Sequence, residues 1–128
     1  MTPSTPEALI VEDDPTQAEI FTMALEQAGY VVTHLADGAE AVTYLDAHTP
    51  AIVVLDLNLP HVAGAEILHH LRQQPHLVHT RVMLATANPR MAEEIAEESD
   101  LVLLKPVSFS QLRELARRLR PTAPDETA

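Results

Sequence analysis

Four places in the 128-residue chain carry side chains able to do chemistry, and each directly follows a short apolar run. "ALIV" leads into Glu12, Asp13 and Asp14, and "AIVVL" into Asp56. "RVMLA" leads into Thr86, and "LVLL" into Lys105-Pro106, which holds the one lysine of the chain. A carboxylate ending a buried strand is costly unless paired, and several in one crevice raise one another's pKa. A hard divalent cation resolves that conflict, since Mg²⁺ takes one or two carboxylates together with waters and phosphate oxygens. Carboxylates, Mg²⁺, a hydroxyl and an ammonium together suit phosphoryl transfer, in which cations neutralise the equatorial oxygens while a carboxylate attacks in line. Singly, each group has a plainer reading. "EDDP" is a helix N-cap with dipole-favourable acids, Asp56 a turn residue, and Thr86 and Lys-Pro ordinary loop residues. Four strand ends that each supply a part of one reaction favour the functional reading.

These groups meet only if the elements before them lie side by side. The β-branched, turn-bounded runs predict strands over 8–12, 31–35, 51–56, 81–85 and 101–104. The third and fifth are continuously apolar, as expected of strands covered on both faces of a parallel sheet. Helical patterns lie between them. Pro15 to Gly29 places Ala18, Phe21, Leu25 and Ala28 on one stripe. The others are Asp37 to His48, Gly64 to Gln74, a short helix from Asn88-Pro89 to near Glu98, and Ser108 to Arg120. Asp14-Pro15 and Asn88-Pro89 read as cap and first helical residue, and Gly29 as a stop. Five alternations of strand and helix predict a doubly wound α/β fold with a parallel sheet between two helical layers. Ligands in such sheets bind outside the carboxyl ends of the strands, where the four groups lie.

Composition narrows the partners. A formal charge of −11 argues against nucleic acid. The absence of cysteine excludes disulfides and thiolate metal sites. No apolar run approaches the roughly 20 residues that span a bilayer, and "MTPSTPEA" lacks the features of a signal peptide. A cytoplasmic protein without a membrane partner is expected. The arginines Arg113, Arg117, Arg118 and Arg120 suit the dipole at the end of a last helix. Residues 1–7 and 121–128, rich in Pro, Thr and Ala, are expected to be disordered tails around one domain, 8–120.

With "LIVEDDP", "VLDLNLPHVAG", "LATA" and "LLKPV" in this order, the chain resembles the receiver domain of bacterial two-component response regulators, from about Ala8 to Arg120. The resemblance implies a flavodoxin-like (βα)5 three-layer sandwich with strand order 2-1-3-4-5. It implies that Asp56 accepts a phosphoryl group from a histidine kinase or a histidine phosphotransfer protein. It also implies that Asp13 and Asp56 ligate Mg²⁺ (or Mn²⁺) directly, with Glu12 acting through a water and Asn58 through its backbone carbonyl. Thr86 would then hydrogen-bond the phosphoryl group and Lys105 pair with it, the Lys105-Pro106 bond would be cis, and Asn58 and Asn88 would tune hydrolysis. Ile20 and Met23, off the buried stripe of the first helix, lie where receivers dock their phosphodonor. With no effector expected after the last helix, the implied role is a stand-alone receiver that signals by protein contact or serves as a relay shuttle or sink. The downstream protein stays unnamed and a homodimer open.

Three departures stand out. Val102 occupies the position of the family's aromatic switch residue, Val107 follows Lys-Pro in place of Phe, and the stretch from Thr86 to Lys105 is short by about one helical turn. These leave the phosphorylation chemistry intact and predict a stunted fourth helix and an altered output face. A phosphatase of the haloacid dehalogenase type would need an acid where Asn58 stands. A flavin mononucleotide site would need a Ser/Thr/Gly loop where "EDDP" stands. A zinc site among His69, His70, His76 and His79 is disfavoured by their scatter over loop and helix faces. The remaining alternative is a pseudo-receiver, an interaction module without phosphorylation, although none of the acids nor the lysine is missing.

Overall fold

The computed structural model describes residues 5–59 and 61–121. The expected tails fall largely on residues 1–4 and 122–128, outside that range. Five parallel strands form one sheet in the order β2-β1-β3-β4-β5: β1 Glu7–Val11, β2 Val31–Leu35, β3 Ile52–Asp56, β4 Arg81–Thr86 and β5 Leu101–Leu104. The helices are α1 Pro15–Gln27, α2 Gly38–Ala47, α3 Gly64–Arg72, α4 Pro89–Glu93 and α5 Phe109–Leu119. Alternate side chains of each strand enter opposite layers. Ala8, Ile10, Ile52, Val54 and Met83 pack with α1 and α5, whereas Leu9, Val11, Val53, Leu55 and Leu84 pack with α2 and α3.

Local chemistry sets the ends of α1. Asp14 accepts the Thr16 N–H at 2.9 Å and Pro15 opens the helix. At the other end Gly29, at φ +102°, donates to the Glu26 carbonyl, and Tyr30 N–H reaches back to Leu25 O at 3.1 Å. This is the glycine-terminated Schellman pattern. The stripe Ala18, Phe21, Leu25 and Ala28 is buried as its spacing predicts.

The buried Tyr30 hydroxyl donates to the Ala116 carbonyl of α5 at 2.8 Å. Tyr30→Phe should therefore lower stability by about 1 kcal/mol in urea denaturation. Burial pushes the phenol up to about 12, while Arg120 works the other way. Because the folded pKa exceeds the ordinary value of 10.0, the Tyr30 contribution is full below that pH and is lost as pH climbs towards about 12. The alkaline loss of stability over this window should be smaller in Tyr30→Phe.

Two expectations need correction. The helix expected to run to near Glu98 stops at Glu93, and a separate 3-10 turn covers Ala96–Glu98. Arg72 anchors this segment: its Nε donates to Glu98 O at 2.6 Å, its Nη1 to Thr80 O at 2.8 Å, and its Nη2 pairs with Asp100 at 3.2 Å. Second, β5 is not covered on both faces. It is an edge strand, and the α4 above it has Ala92 as its one buried residue. Val102 is consequently half-buried and Leu104 is 56% exposed. The apolar run reflects one buried face and one face left open by a helix too short to cover it. At the start of the domain, Pro6 O already accepts Val31 N–H at 2.9 Å and β1 opens at Glu7, one residue before the expected strand.

Candidate functional site

The parallel sheet brings the ends of β1, β3, β4 and β5 to one edge. The acid triplet divides there: Asp14 is spent on capping α1, leaving Glu12 and Asp13 in the turn. Asp56 is the last residue of β3, and its Oδ1 accepts the Asn58 N–H at 3.0 Å. Lys105 follows β5, with its N–H on Thr86 O at 2.9 Å and a cis bond to Pro106.

Carboxylate oxygens of Glu12, Asp13 and Asp56 all lie within 4.8 Å of one another. Glu12 is 1% exposed and Asp56 2%, whereas Asp13 faces solvent. Lys105 Nζ stands 3.1 Å from Glu12 Oε1 and 3.2 Å from Asp56 Oδ1. One ammonium thus serves two buried carboxylates, with a third acid beside them. Burial, then the hydrogen bond with Asp56, pushes Glu12 up to about 7, against the opposing pull of Lys105. Burial works to lower the Lys105 pKa, yet its hydrogen bond to Glu12 and the Asp56 charge hold it above the ordinary lysine value. Such a hard, oxygen-only donor set with excess negative charge fits a small divalent cation. Among the described residues this is the group of three acids or histidines placed to hold a metal.

Thr86 is fully buried, and its hydroxyl both donates to Asn88 O at 3.1 Å and accepts Asn88 N–H at 3.0 Å. Asn88 lies on the surface and caps α4, its Oδ1 accepting Arg90 N–H at 3.1 Å. Asn58 is also exposed, and its N–H steadies Asp56. Ile20 and Met23 are exposed on α1. The histidines scatter as their spacing suggests: His61 pairs with Asp37 at 3.0 Å, His70 with Asp46 at 2.7 Å, and His76 meets the Leu45 carbonyl. A groove of about 530 Å³ beside Arg72, Arg81 and Asp100 lies at the opposite, amino-terminal ends of β4 and β5, away from the acids.

Three contacts escape a reading of spacing. Glu12 pairs directly with Lys105, Asn58 holds Asp56 through its backbone, and His34 Nε2 lies 2.7 Å from the Glu12 carbonyl. The first has a signal in the residue that ends the buried β1 run. The other two have none, because a backbone donor leaves no trace in residue type and His34 sits inside an ordinary strand pattern.

A doubly wound parallel sheet with an acidic crevice and a lysine at the carboxyl ends of its strands defines an α/β protein whose candidate site lies where such sheets bind their ligands. The family model of the response regulator receiver domain matches residues 8–117, and the chain belongs to that family. It is 36% identical over 128 residues to the probable transcriptional regulatory protein TcrX of Mycobacterium tuberculosis, an alignment that takes in 94% of this chain and 53% of TcrX. The chain spans about half the length of the curated relatives it matches. Among solved structures, a CheY-like receiver domain from Methylobacillus flagellatus superposes with a TM-score of 0.81 at 27% identity, covering 91% of this chain and 100% of that one. The receiver domain of the sensor histidine kinase PA1611 from Pseudomonas aeruginosa PAO1, which has a magnesium ion coordinated in its active-site cleft, superposes at 0.77 with 26% identity, covering 91% and 98%. No helix among the described residues is long and apolar enough to cross a membrane.

Proposed function

We propose that this receiver takes a phosphoryl group onto Asp56 from the phosphohistidine of a histidine kinase or phosphotransfer protein. The observation that carries the reading is the convergence of Glu12, Asp13, Asp56 and Lys105, with Lys105 Nζ between the two buried acids. One Asp56 oxygen attacks phosphorus in line as the phosphorus–nitrogen bond breaks, and the departing imidazole nitrogen takes a proton. Asp13 and Asp56 would hold Mg²⁺ directly, Glu12 would act through a water, and Asn58 would offer its backbone carbonyl. When bound, the cation offsets charge on the transferring oxygens.

Lys105 supplies the second positive charge on that group. Thr86 turns its O–H from the Asn88 carbonyl to a phosphoryl oxygen, which pulls on the start of α4. Asn58 and Asn88, both at the surface, are the side chains placed to meet the water that hydrolyses the acyl phosphate. Ile20 and Met23 form an exposed apolar spot for the donor protein. With Val102 in place of an aromatic, output runs through the Thr86–α4 connection to a downstream protein.

The test is intact-mass analysis after incubation with Mg²⁺ and acetyl phosphate. One phosphoryl adduct is expected, lost on chelation and absent in Asp56→Ala. No adduct with acetyl phosphate or with a phosphohistidine donor would leave the chain a pseudo-receiver.

A further inference from the structure

We infer that His34, a β2 residue outside the acidic cluster, is a positioning residue for cation binding: its ring Nε2–H holds the Glu12–Asp13 peptide so that the Asp13 carboxylate faces Glu12 and Asp56. The inference rests on reading those acids as a divalent-cation site.

The β1–β2 ladder ends at the Val11–Leu35 pair, and one further bond, Glu12 N–H to Leu35 O at 3.1 Å, fixes the amide side of Glu12. The chain turns into the α2 cap beyond Leu35, and the donor on the Glu12 carbonyl is the His34 ring at 2.7 Å. A carbonyl only accepts, so Nε2 carries the hydrogen and the ring tautomer is fixed by this contact. His34 is paired in register with Ile10, two residues before Glu12, so its ring lies on the same sheet face and reaches forward to the carbonyl.

The consequence falls on Asp13. Among the described residues no hydrogen bond restrains its carboxylate, and it faces solvent. Its direction is set by the peptides on either side. The Asp13–Asp14 peptide is held through Asp14 N–H to Glu12 Oε2 at 3.3 Å, a tie made by one of the cluster's own acids. The Glu12–Asp13 peptide is held by His34. Planarity means that fixing the Glu12 C=O fixes the Asp13 N–H and Cα as well. His34 is thus the restraint on Asp13 that comes from outside the acids, and outer contacts of this kind commonly govern metal affinity about tenfold or more.

The test uses calorimetric Mg²⁺ titration of the full chain, with thermal melts recorded alongside. His34→Leu, which keeps bulk and loses the donor, should weaken Mg²⁺ about tenfold. His34→Gln, whose amide reaches a similar point, should stay within about twofold of wild type. Wild-type affinity in His34→Leu, or equal weakening in a folded His34→Gln, would overturn the role of His34 while leaving the cation site standing. Absence of Mg²⁺ binding by the wild type would overturn both. A long-range ¹H–¹⁵N spectrum of the wild type at about pH 8, where an ordinary imidazole is neutral, needs no variant. His34 should carry its proton on Nε2, and a proton on Nδ1 alone would overturn the inference.

Discussion

Asp56→Asn is expected to abolish the phosphoryl adduct and, without divalent cations, to raise the melting temperature. Asparagine keeps the shape and removes the nucleophilic charge, so the first effect is all-or-none in an intact-mass measurement with acetyl phosphate and Mg²⁺. The second follows from the charge balance. Three acids lie within 4.8 Å of one another against one lysine. Removing one negative charge costs half of the Lys105 bridge but relieves Glu12, which Asp56 pushes upward by both hydrogen bond and charge. Repulsion outweighs the lost attraction because Lys105 stays with Glu12 at 3.1 Å. A gain of about 1 kcal/mol, or about 3 °C in a domain of this size, is the scale to look for. Saturating Mg²⁺ should reverse the order, because the wild type would bind it with its full carboxylate set and be stabilised by mass action. A variant less stable than wild type in EDTA would show that the lysine bridge dominates.

Gly64→Ala should cost about 2 kcal/mol in urea denaturation and slow the reaction with acetyl phosphate. A Cβ at Gly64 would sit 2.5 Å from Asp56 O and 2.7 Å from Leu57 Cα, both backbone atoms without a rotamer to escape into. The expected helix-propensity gain of alanine, about 1 kcal/mol, is the smaller term. The strain cannot stay local. The backbone that must move carries Asp56 itself, so the start of α3 and the candidate nucleophile are coupled through a missing methyl group. Unchanged stability with unchanged phosphorylation would show that the loop relaxes at no cost.

Much of this architecture is legible along the chain where a local rule has no competitor. The buried stripe and both caps of α1 follow from Asp14, Pro15 and Gly29, and the acid at the end of β3 announces itself against a fully buried strand. The readings that fail concern what lies across from an element. "LVLL" looks fully covered by hydropathy, but coverage depends on α4, whose five residues leave Leu104 bare. Extending α4 to Glu98 follows from a polar, helix-favouring run. Arg72, from the preceding helix, instead takes the Glu98 carbonyl and fixes a separate turn. At the site, residue types at strand ends indicate the chemistry, while the family resemblance supplies the strand order that brings them together. Pro15 marks Asp14 as the cap, but the division of labour between Glu12 and Asp13 is set by tertiary contacts, since two adjacent acids carry no mark of which one is buried against Lys105.

The doubly bonded Thr86 hydroxyl would make the proposed phosphorylation an exchange reaction. Its one O–H is already donated to the Asn88 carbonyl, so capture by a phosphoryl oxygen adds no bond to an idle group. It trades one neutral hydrogen bond, worth about 1 kcal/mol net, for one charge-assisted bond of roughly 1.5–3 kcal/mol. Water can take over at the exposed Asn88. The surplus is about 1 kcal/mol, a roughly fivefold change in population at α4. Such a receiver would work as a dimmer, grading its output with the fraction phosphorylated and depending on its partner's own binding energy to complete the change.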